Sequence, residues 1–273
     1  MKIFKVCLAL LLLLPVVGIM VGCWKSGEKV CLSKVTDLKG NGNHVWNLEY
    51  DASRRLVKYG NTPISYGKNQ ITVGEMDWES KEEHMYHVTF HVKENGTLES
   101  EARCRLKVKD EMVDARKKSS YRETPDTLFV NSNYYMEGVE NPVRQVEAKY
   151  AFDTHNRLTD VISTYSDEGG NHKCHCYYEY NANIHYDSNL NLQAFVVERE
   201  GLDTFFYLLL NLGNRKTQRA LPEHIRHCVN QGKAVYVADG LYNLEGYTPT
   251  KAEVISLQSE LKARYEFEHA LID

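Results

Sequence analysis

Residues 85–109 read MYHVTFHVKENGTLESEARCRLKVK, with apolar and polar side chains alternating along both halves and Asn95-Gly96 between them. Such alternation marks strands that bury one face, and Asn-Gly between two of them marks a hairpin. Two loops compete here. A two-residue Asn95-Gly96 turn sets Val92 opposite Glu99 and mixes the faces. A three-residue Glu94-Asn95-Gly96 loop, with Gly96 left-handed in a bulge, sets Val92 opposite Leu98. The second sorts the side chains: Tyr86, Val88, Phe90, Val92, Leu98, Ala102, Cys104 and Leu106 share one face. His87, Thr89 and His91 then oppose Arg103, Glu101 and Glu99 on the other. An antiparallel pair with one buried and one wet side is expected.

Outward from this hairpin, three segments share a pattern of aromatic-Asp, four residues, Leu: YDASRRL from Tyr50, FDTHNRL from Phe152 and YDSNLNL from Tyr186. In such a corner the aromatic residue closes a strand, the Asp carboxylate accepts backbone N–H groups, and the Leu opens the next strand. Separations of 102 and 34 residues exclude a solenoid or propeller period. Further strands are expected at 45–59, 64–73, 146–152, 158–165, 174–180, 192–198 and 234–238. One helix interrupts them. Asp203 caps the apolar run 204–212 and Gly213 ends it, which reads as a core helix plugging one end of the sheet. Residues 221–225 restart the chain in extended form. The tail has two readings. Thr250 and Glu253 make a capping box, with Val254, Leu257, Leu261 and Tyr265 at helical spacing, yet Tyr-Glu-Phe-Glu at 265–268 alternates like a strand.

Composition agrees with a β protein. Tyr supplies 18 residues against 8 Phe and 3 Trp, which suits sheet surfaces where a ring is half buried and its hydroxyl stays wet. A net charge of −4 lacks the basic footprint of a nucleic-acid binder, so no nucleic-acid partner is expected.

The amino terminus, MKIFKVCLALLLLLPVVGIMVGC, places Lys2 and Lys5 before an apolar run of 16 residues broken by Pro15 and Gly18. A membrane-crossing helix needs about 20 apolar residues, so the segment reads as a cleaved leader. Met20-Val21-Gly22-Cys23 resembles the lipobox of bacterial lipoproteins, in which cleavage before the cysteine frees it for acylation. The expected organisation is a leader over 1–22, a tether over 23–29 anchored through lipid on Cys23, and a single antiparallel β domain over 30–273. More than one acyl chain makes such an anchor stable. Without Lys2 and Lys5 the chain carries 31 basic and 37 acidic residues, so lipid rather than surface charge would hold it to the membrane. No acidic cluster follows Cys23, which favours a periplasm-facing placement in a bacterial envelope, with surface exposure as the alternative.

Beyond Cys7 in the leader and Cys23, five cysteines remain: Cys31, Cys104, Cys174, Cys176 and Cys228. A chain of this size does not need a disulfide framework, and mostly thiols or a single bridge are expected. His172, Cys174 and Cys176 alternate and would share one face of a strand, with His227 or Cys228 as a fourth group, so a zinc site is conceivable. Structural zinc motifs usually present C-x₂-C on a turn, however, and ordinary strand side chains are the simpler reading, with no cofactor expected.

Taken together, the lipobox, the WNLEYDASRRLVKYG and FDTHNRL corners, the NANIHYD segment, and GNRKTQRALPEHI followed by LYNLEGYTPTKAEV resemble the Bacteroidetes lipoproteins of unknown function with a porin-like fold. The resemblance implies a strongly curved, mostly antiparallel single sheet, a porin-like and partly open barrel. It implies two short strands rather than a helix over 251–271, and it implies no activity. The chain departs from that family at Arg54-Arg55, His155-Asn156 and Asn189-Leu190-Asn191, where the corners usually carry Gly.

The expected function is a lipid-anchored, non-catalytic binding or structural lipoprotein, with a glycan or protein partner. Tyr177, Tyr178 and Tyr180 are candidates for stacking on a sugar ring, against the alternative that they pack across strands. The sequence lacks a G-x-S-x-G elbow, an H-E-x-x-H helix, a P-loop and a dinucleotide turn, so no enzyme is expected. An envelope hydrolase acting on glycans is the alternative, because its two carboxylates would come from distant strands and leave no local motif.

Overall fold

The structure is a computed structural model of the chain, described for residues 30–38, 44–75, 78–79, 83–93, 97–108, 111–167, 170–180, 189–196, 201–213, 221–229, 233–245, 248–256 and 261–271. The expected leader, Cys23, the tether, the Glu94-Asn95-Gly96 loop and the Tyr186-Asp187 start of the third corner lie outside the described residues.

The first strands are β1 (Val30–Asp37), β2 (His44–Tyr50), β3 (Leu56–Tyr59), β4 (Thr62–Tyr66), β5 (Gln70–Val73), β6 (Trp78–Glu79), β7 (Glu83–Val92), β8 (Leu98–Val108) and β9 (Glu111–Glu123). They are followed by β10 (Thr127–Met136), β11 (Arg144–Phe152), β12 (Leu158–Asp167) and β13 (Gly170–Glu179). Two helices, α1 (Gln193–Val196) and α2 (Gly201–Leu209), precede β14 (His224–Val229), β15 (Lys233–Glu245), β16 (Thr248–Ser256) and β17 (Leu261–Leu271). All 17 strands belong to one sheet, and every pairing in it is antiparallel. Strands pair with their successors, except that β5 and the two-residue β6 share one edge of β7. β17 returns to pair with β1, which also pairs with β2, so the pairings run in a ring.

The 85–109 hairpin is β7 and β8, in the register of the three-residue loop. Val92 pairs with Leu98, His91 with Glu99, Thr89 with Glu101 and His87 with Arg103. Lys93 N–H donates to the Thr97 carbonyl at 2.9 Å at the base of the loop. Val88, Phe90, Leu98, Ala102, Cys104 and Leu106 are buried, whereas Val92, at the hairpin tip, is 41% exposed.

The first two corners share one geometry. Asp51 Oδ1 accepts the N–H groups of Ser53 and Arg55, each at 2.9 Å, and Asp51 Oδ2 accepts Arg55 Nε–H at 2.8 Å. Asp153 does the same with His155, Arg157 and Arg157 Nε at 2.8, 2.9 and 2.7 Å. The left-handed position, where the resemblance implied glycine, falls to Arg54 (φ 62°) and Asn156 (φ 58°). The repeat extends beyond the turn. Tyr66 OH donates to the Leu56 carbonyl and Tyr180 OH to the Leu158 carbonyl, at 3.0 and 2.6 Å. Arg55 and Arg157 lie over those same tyrosine rings, 4.6 and 5.3 Å from the centroids.

Some stretches depart from what local pattern alone led one to expect. Residues 192–198 were expected to be a strand, but α1 covers Gln193–Val196. All four of its residues are buried, and a run buried on every side has no period to separate helix from strand. The missed signal was Asn191, whose Oδ1 accepts Gln193 N–H at 3.1 Å in the manner of a helix cap. The single expected helix is therefore accompanied by a second. The tail forms β16 and β17, as the resemblance implied, and its helical spacing is overridden by the alternate burial of Tyr265 and Phe267. β9 and β10, together with β1, are strands that periodicity did not reveal.

The interior is filled by the helices. Phe195 meets Phe205, Tyr265 and Phe267 with centroids 5.3, 5.2 and 5.6 Å away. Tyr59 from β3 stands edge-on to Phe205 and Phe206 at 6.0 and 5.8 Å, and Tyr121 from β9 stacks flat on Tyr207 at 4.4 Å. Rings on α1 and α2 thus touch β3, β9 and β17, so the plug reaches well-separated parts of the ring. Its end is tightly seated, since a Cβ added at Gly213 would collide with the Glu123 carboxylate and the Tyr207 hydroxyl.

Candidate functional site

Asp203, expected as a helix cap, lies in the first turn of α2 and is fully buried against the sheet. Its Oδ1 accepts Lys117 Nζ–H at 2.8 Å. Its Oδ2 accepts the hydroxyls of Ser119, Ser100 and Tyr121 at 2.6, 3.1 and 3.1 Å, and Ser119 is further bonded to Ser132 at 2.7 Å. Burial pushes the Asp203 carboxyl up. The Lys117 charge, the Lys117 and Ser119 hydrogen bonds and the Thr204 N–H outweigh that and hold it below the usual carboxylate range. The Tyr121 hydroxyl is pushed well up by its own burial and then by the Asp203 charge. A fully buried cluster has no route to a substrate. Its chemistry is that of a latch between plug and wall.

From Lys117 a line of cations and rings crosses the inner face of five strands. Lys117 lies 5.1 Å from the Tyr134 ring, and Arg144 lies 5.7 Å from Tyr134 and 4.9 Å from Tyr165. Tyr165 stacks on His172 at 4.5 Å. His172 thus closes this row, while Cys174 and Cys176 follow it along the inner face of β13. Cys176 stands opposite His227 and Cys174 opposite Val229 in the β13–β14 register; the side chains of His227 and Cys228 lie outside the described residues. Cys31, Cys104, Cys174 and Cys176 are thiols rather than disulfides. Among the described residues no three His, Cys, Asp or Glu side chains are grouped to hold a metal.

The three candidate sugar-stacking tyrosines do not make a common platform, because neighbours on a strand face opposite ways. Tyr178 points inward and is 3% exposed, which removes it from the candidates for stacking on a sugar ring. Tyr180 accepts a hydrogen bond from Gln193 Nε2 at 3.3 Å and carries Arg157 over its ring. Tyr177 is on the outer face, 38% exposed and 3.8 Å from the His175 ring, which in turn hydrogen-bonds Asp160 at 3.0 Å.

The outer face of β11, β12 and β13 instead carries a cleft of about 740 Å³. Gln145, Ser166 and Asn171 form one register row along it, and Glu147, Thr164 and Lys173 form the next. Tyr165 and His172 also contribute to the lining. Glycoside hydrolysis needs two carboxyl groups about 5–10 Å apart, and of the lining residues Glu147 alone carries one. Sequence reasoning missed this cleft because its groups are ordinary outward side chains that only strand register brings together.

A family model matches the chain over residues 32–267. The crystal structure of a porin-like protein from Bacteroides vulgatus ATCC 8482, at 2.80 Å resolution, is 37% identical. It superposes with a TM-score of 0.82 over 89% of this chain and 100% of that one. The chain belongs to this porin-like family. A second porin-like protein, from Bacteroides uniformis ATCC 8492, aligns over 88% of this chain and 96% of its own at 8% identity with a TM-score of 0.29. No curated protein matches the sequence.

The porin-like name invites a comparison of faces. No helix among the described residues is long and apolar enough to cross a membrane, so any crossing by those residues would fall to strands. A strand that crosses turns apolar side chains outward and polar ones to the lumen. The porin-like chain has the reverse arrangement on its described walls. β8 turns Arg103, Arg105 and Lys107 outward, β9 Asp114, Arg116, Lys118 and Arg122, and β11 Glu147 and Lys149, all exposed. Leu98, Leu106, Leu128, Val130, Val146 and Tyr150 from β8, β10 and β11 point inward and are buried.

Proposed function

We propose that this porin-like chain is a lipid-anchored protein of the bacterial envelope whose barrel stands in water and serves as a non-catalytic binding or structural body rather than as a pore. One observation carries this reading: outward charges and a packed interior on the same strands. Each Arg or Lys facing lipid at the bilayer midplane costs about 2–4 kcal/mol, and β8 and β9 together present six of them, Arg103, Arg105, Lys107, Arg116, Lys118 and Arg122. The aromatic plug meanwhile occupies the place of an aqueous lumen. Support for the anchor comes from the leader and the Met20-Val21-Gly22-Cys23 motif. A lipid on Cys23 would tether the body through the short segment before β1, with a periplasm-facing placement favoured. Two measurements test this together. A chain starting at residue 24, which keeps every strand, is expected to be monodisperse in buffer without detergent and to give no single-channel conductance in planar bilayers. Incorporation of a labelled fatty acid into the full chain, lost on Cys23→Ala, is expected for the anchor. Conductance, or a need for detergent by the truncated chain, would overturn the reading.

A further inference from the structure

The two rows of side chains in the cleft over β11–β13 select a ligand chemistry. Gln145, Ser166 and Asn171 stand across three adjacent strands, with Glu147, Thr164 and Lys173 two residues further along each. Rows on a sheet are spaced by about 4.8 Å across strands and about 6.8 Å between alternate residues. The cleft therefore presents a grid of polar groups. Among the described residues, the side chains of Gln145, Glu147, Thr164, Ser166 and Asn171 form no hydrogen bond or ion pair with the rest of the chain. Their donors and acceptors are open to a ligand.

Most ligand pockets are lined by apolar groups with a few polar ones, and pockets of about 300–1,000 Å³ are usual for small molecules. This cleft is in that size range, but six of its eight lining residues are amides, hydroxyls or charges that face outward. An acyl chain or sterol would strip water from those groups without replacing it, at a cost for each. A phosphate or sulfate is recognised by several cations, whereas Lys173 is the sole lysine or arginine in the lining and shares its row with Glu147. A hard cation needs several oxygen ligands, and one carboxylate does not supply them. A ligand dense in neutral hydroxyl groups fits. Each amide of Gln145 and Asn171 offers two donors and an acceptor, and each hydroxyl of Thr164 and Ser166 offers one donor and an acceptor.

We infer that the outer cleft of β11–β13 is a binding site for a neutral oligosaccharide. Gln145 and Asn171 at the two sides hold neighbouring hydroxyls, with Thr164 and Ser166 beneath. The inference rests on the water-facing reading of the barrel, since a cleft covered by lipid would see no soluble glycan.

The full chain, purified from cells in mild detergent, is titrated calorimetrically with maltohexaose, xylohexaose, mannohexaose and N-acetylchitohexaose. Binding of at least one is expected. The double variant Gln145→Ala/Asn171→Ala is expected to weaken that binding by about tenfold or more. Tyr177→Ala, on the same sheet but outside the cleft, is expected to leave it unchanged, and the thermal midpoints of all three chains should coincide. Binding of none of the four overturns the inference, as does a binder whose affinity survives the double variant. The two ideas fail separately: a chain that binds no oligosaccharide but whose outer wall reacts with water-borne reagents loses this inference alone, whereas a lipid-shielded wall removes the reading beneath it.

Discussion

Lys117 Nζ lies 2.8 Å from Asp203 Oδ1, with both side chains fully buried between the wall of the barrel and the helix inside it. Removing either partner leaves a charge in an apolar interior, which typically costs about 3–5 kcal/mol. Lys117→Met and Asp203→Ala are each expected to cost about that much in urea unfolding. The double variant Lys117→Met/Asp203→Leu is expected to cost less than either, because it strands no charge. Single variants within about 0.5 kcal/mol of the parent would mean the pair is solvated.

Acid should undo the same latch. A carboxyl held below its usual range in the folded chain binds its proton less readily there than in the unfolded chain. It therefore adds stability at pH values above about 3.9, the unfolded value, and loses that contribution as pH falls through the lowered folded value. Asp203 is such a group. The stability gap between the parent and Asp203→Asn, measured by denaturant titration, is expected to be widest near neutrality and to narrow below about pH 4. A gap constant from neutrality into acid would contradict the assignment.

At the corners, Arg54 and Asn156 hold left-handed backbone that an L side chain resists. Arg54→Gly is expected to stabilise the chain by up to about 1 kcal/mol, read as a higher urea midpoint. Asn156→Gly should give less, because Asn tolerates this conformation better. In Asp51→Ala the amides of Ser53 and Arg55 should exchange faster with solvent, and in Asp153→Ala those of His155 and Arg157.

Tyr177 and Tyr178 separate surface from core on one strand. Tyr178→Ala is expected to cost about 3 kcal/mol or more, as large-to-small changes of buried rings do, and Tyr177→Ala to stay within about 0.5 kcal/mol. Equal costs would mean the β13 faces are misassigned.

The legible parts of the fold are those where local chemistry and burial agree. The β7–β8 register followed from alternation, and the two Asp corners followed from the habit of Asp carboxylates in turns. β9 and β10 were hidden for a physical reason: Lys117 and Ser119 make inward positions of β9 polar, and Ser132 breaks the inward row of Leu128, Val130 and Tyr134 on β10. Those same polar residues make the pocket for Asp203. The helix bearing Asp203 was readable, but its partners were about 80–100 residues away, Ser100 as a lone polar residue on the inward face of β8 and Lys117, Ser119 and Tyr121 on β9, so the carboxylate passed for a cap. The cleft was hidden in another way. Gln145, Thr164 and Asn171 are unremarkable one by one, and pairing alone makes them neighbours.

The polarity of the wall can be tested in place by chemical labelling. Arg103→Cys and Lys149→Cys, each in a Cys174→Ser/Cys228→Ser chain, put thiols on the outer faces of β8 and β11, while the native Cys31, Cys104 and Cys176 are buried. A charged, membrane-impermeant maleimide is added to membranes opened to reagent on both sides, and to the same chain after detergent extraction. The water-facing barrel predicts equally fast labelling of both positions in the two preparations. Protection in membranes that detergent relieves would show the wall against lipid and contradict the account.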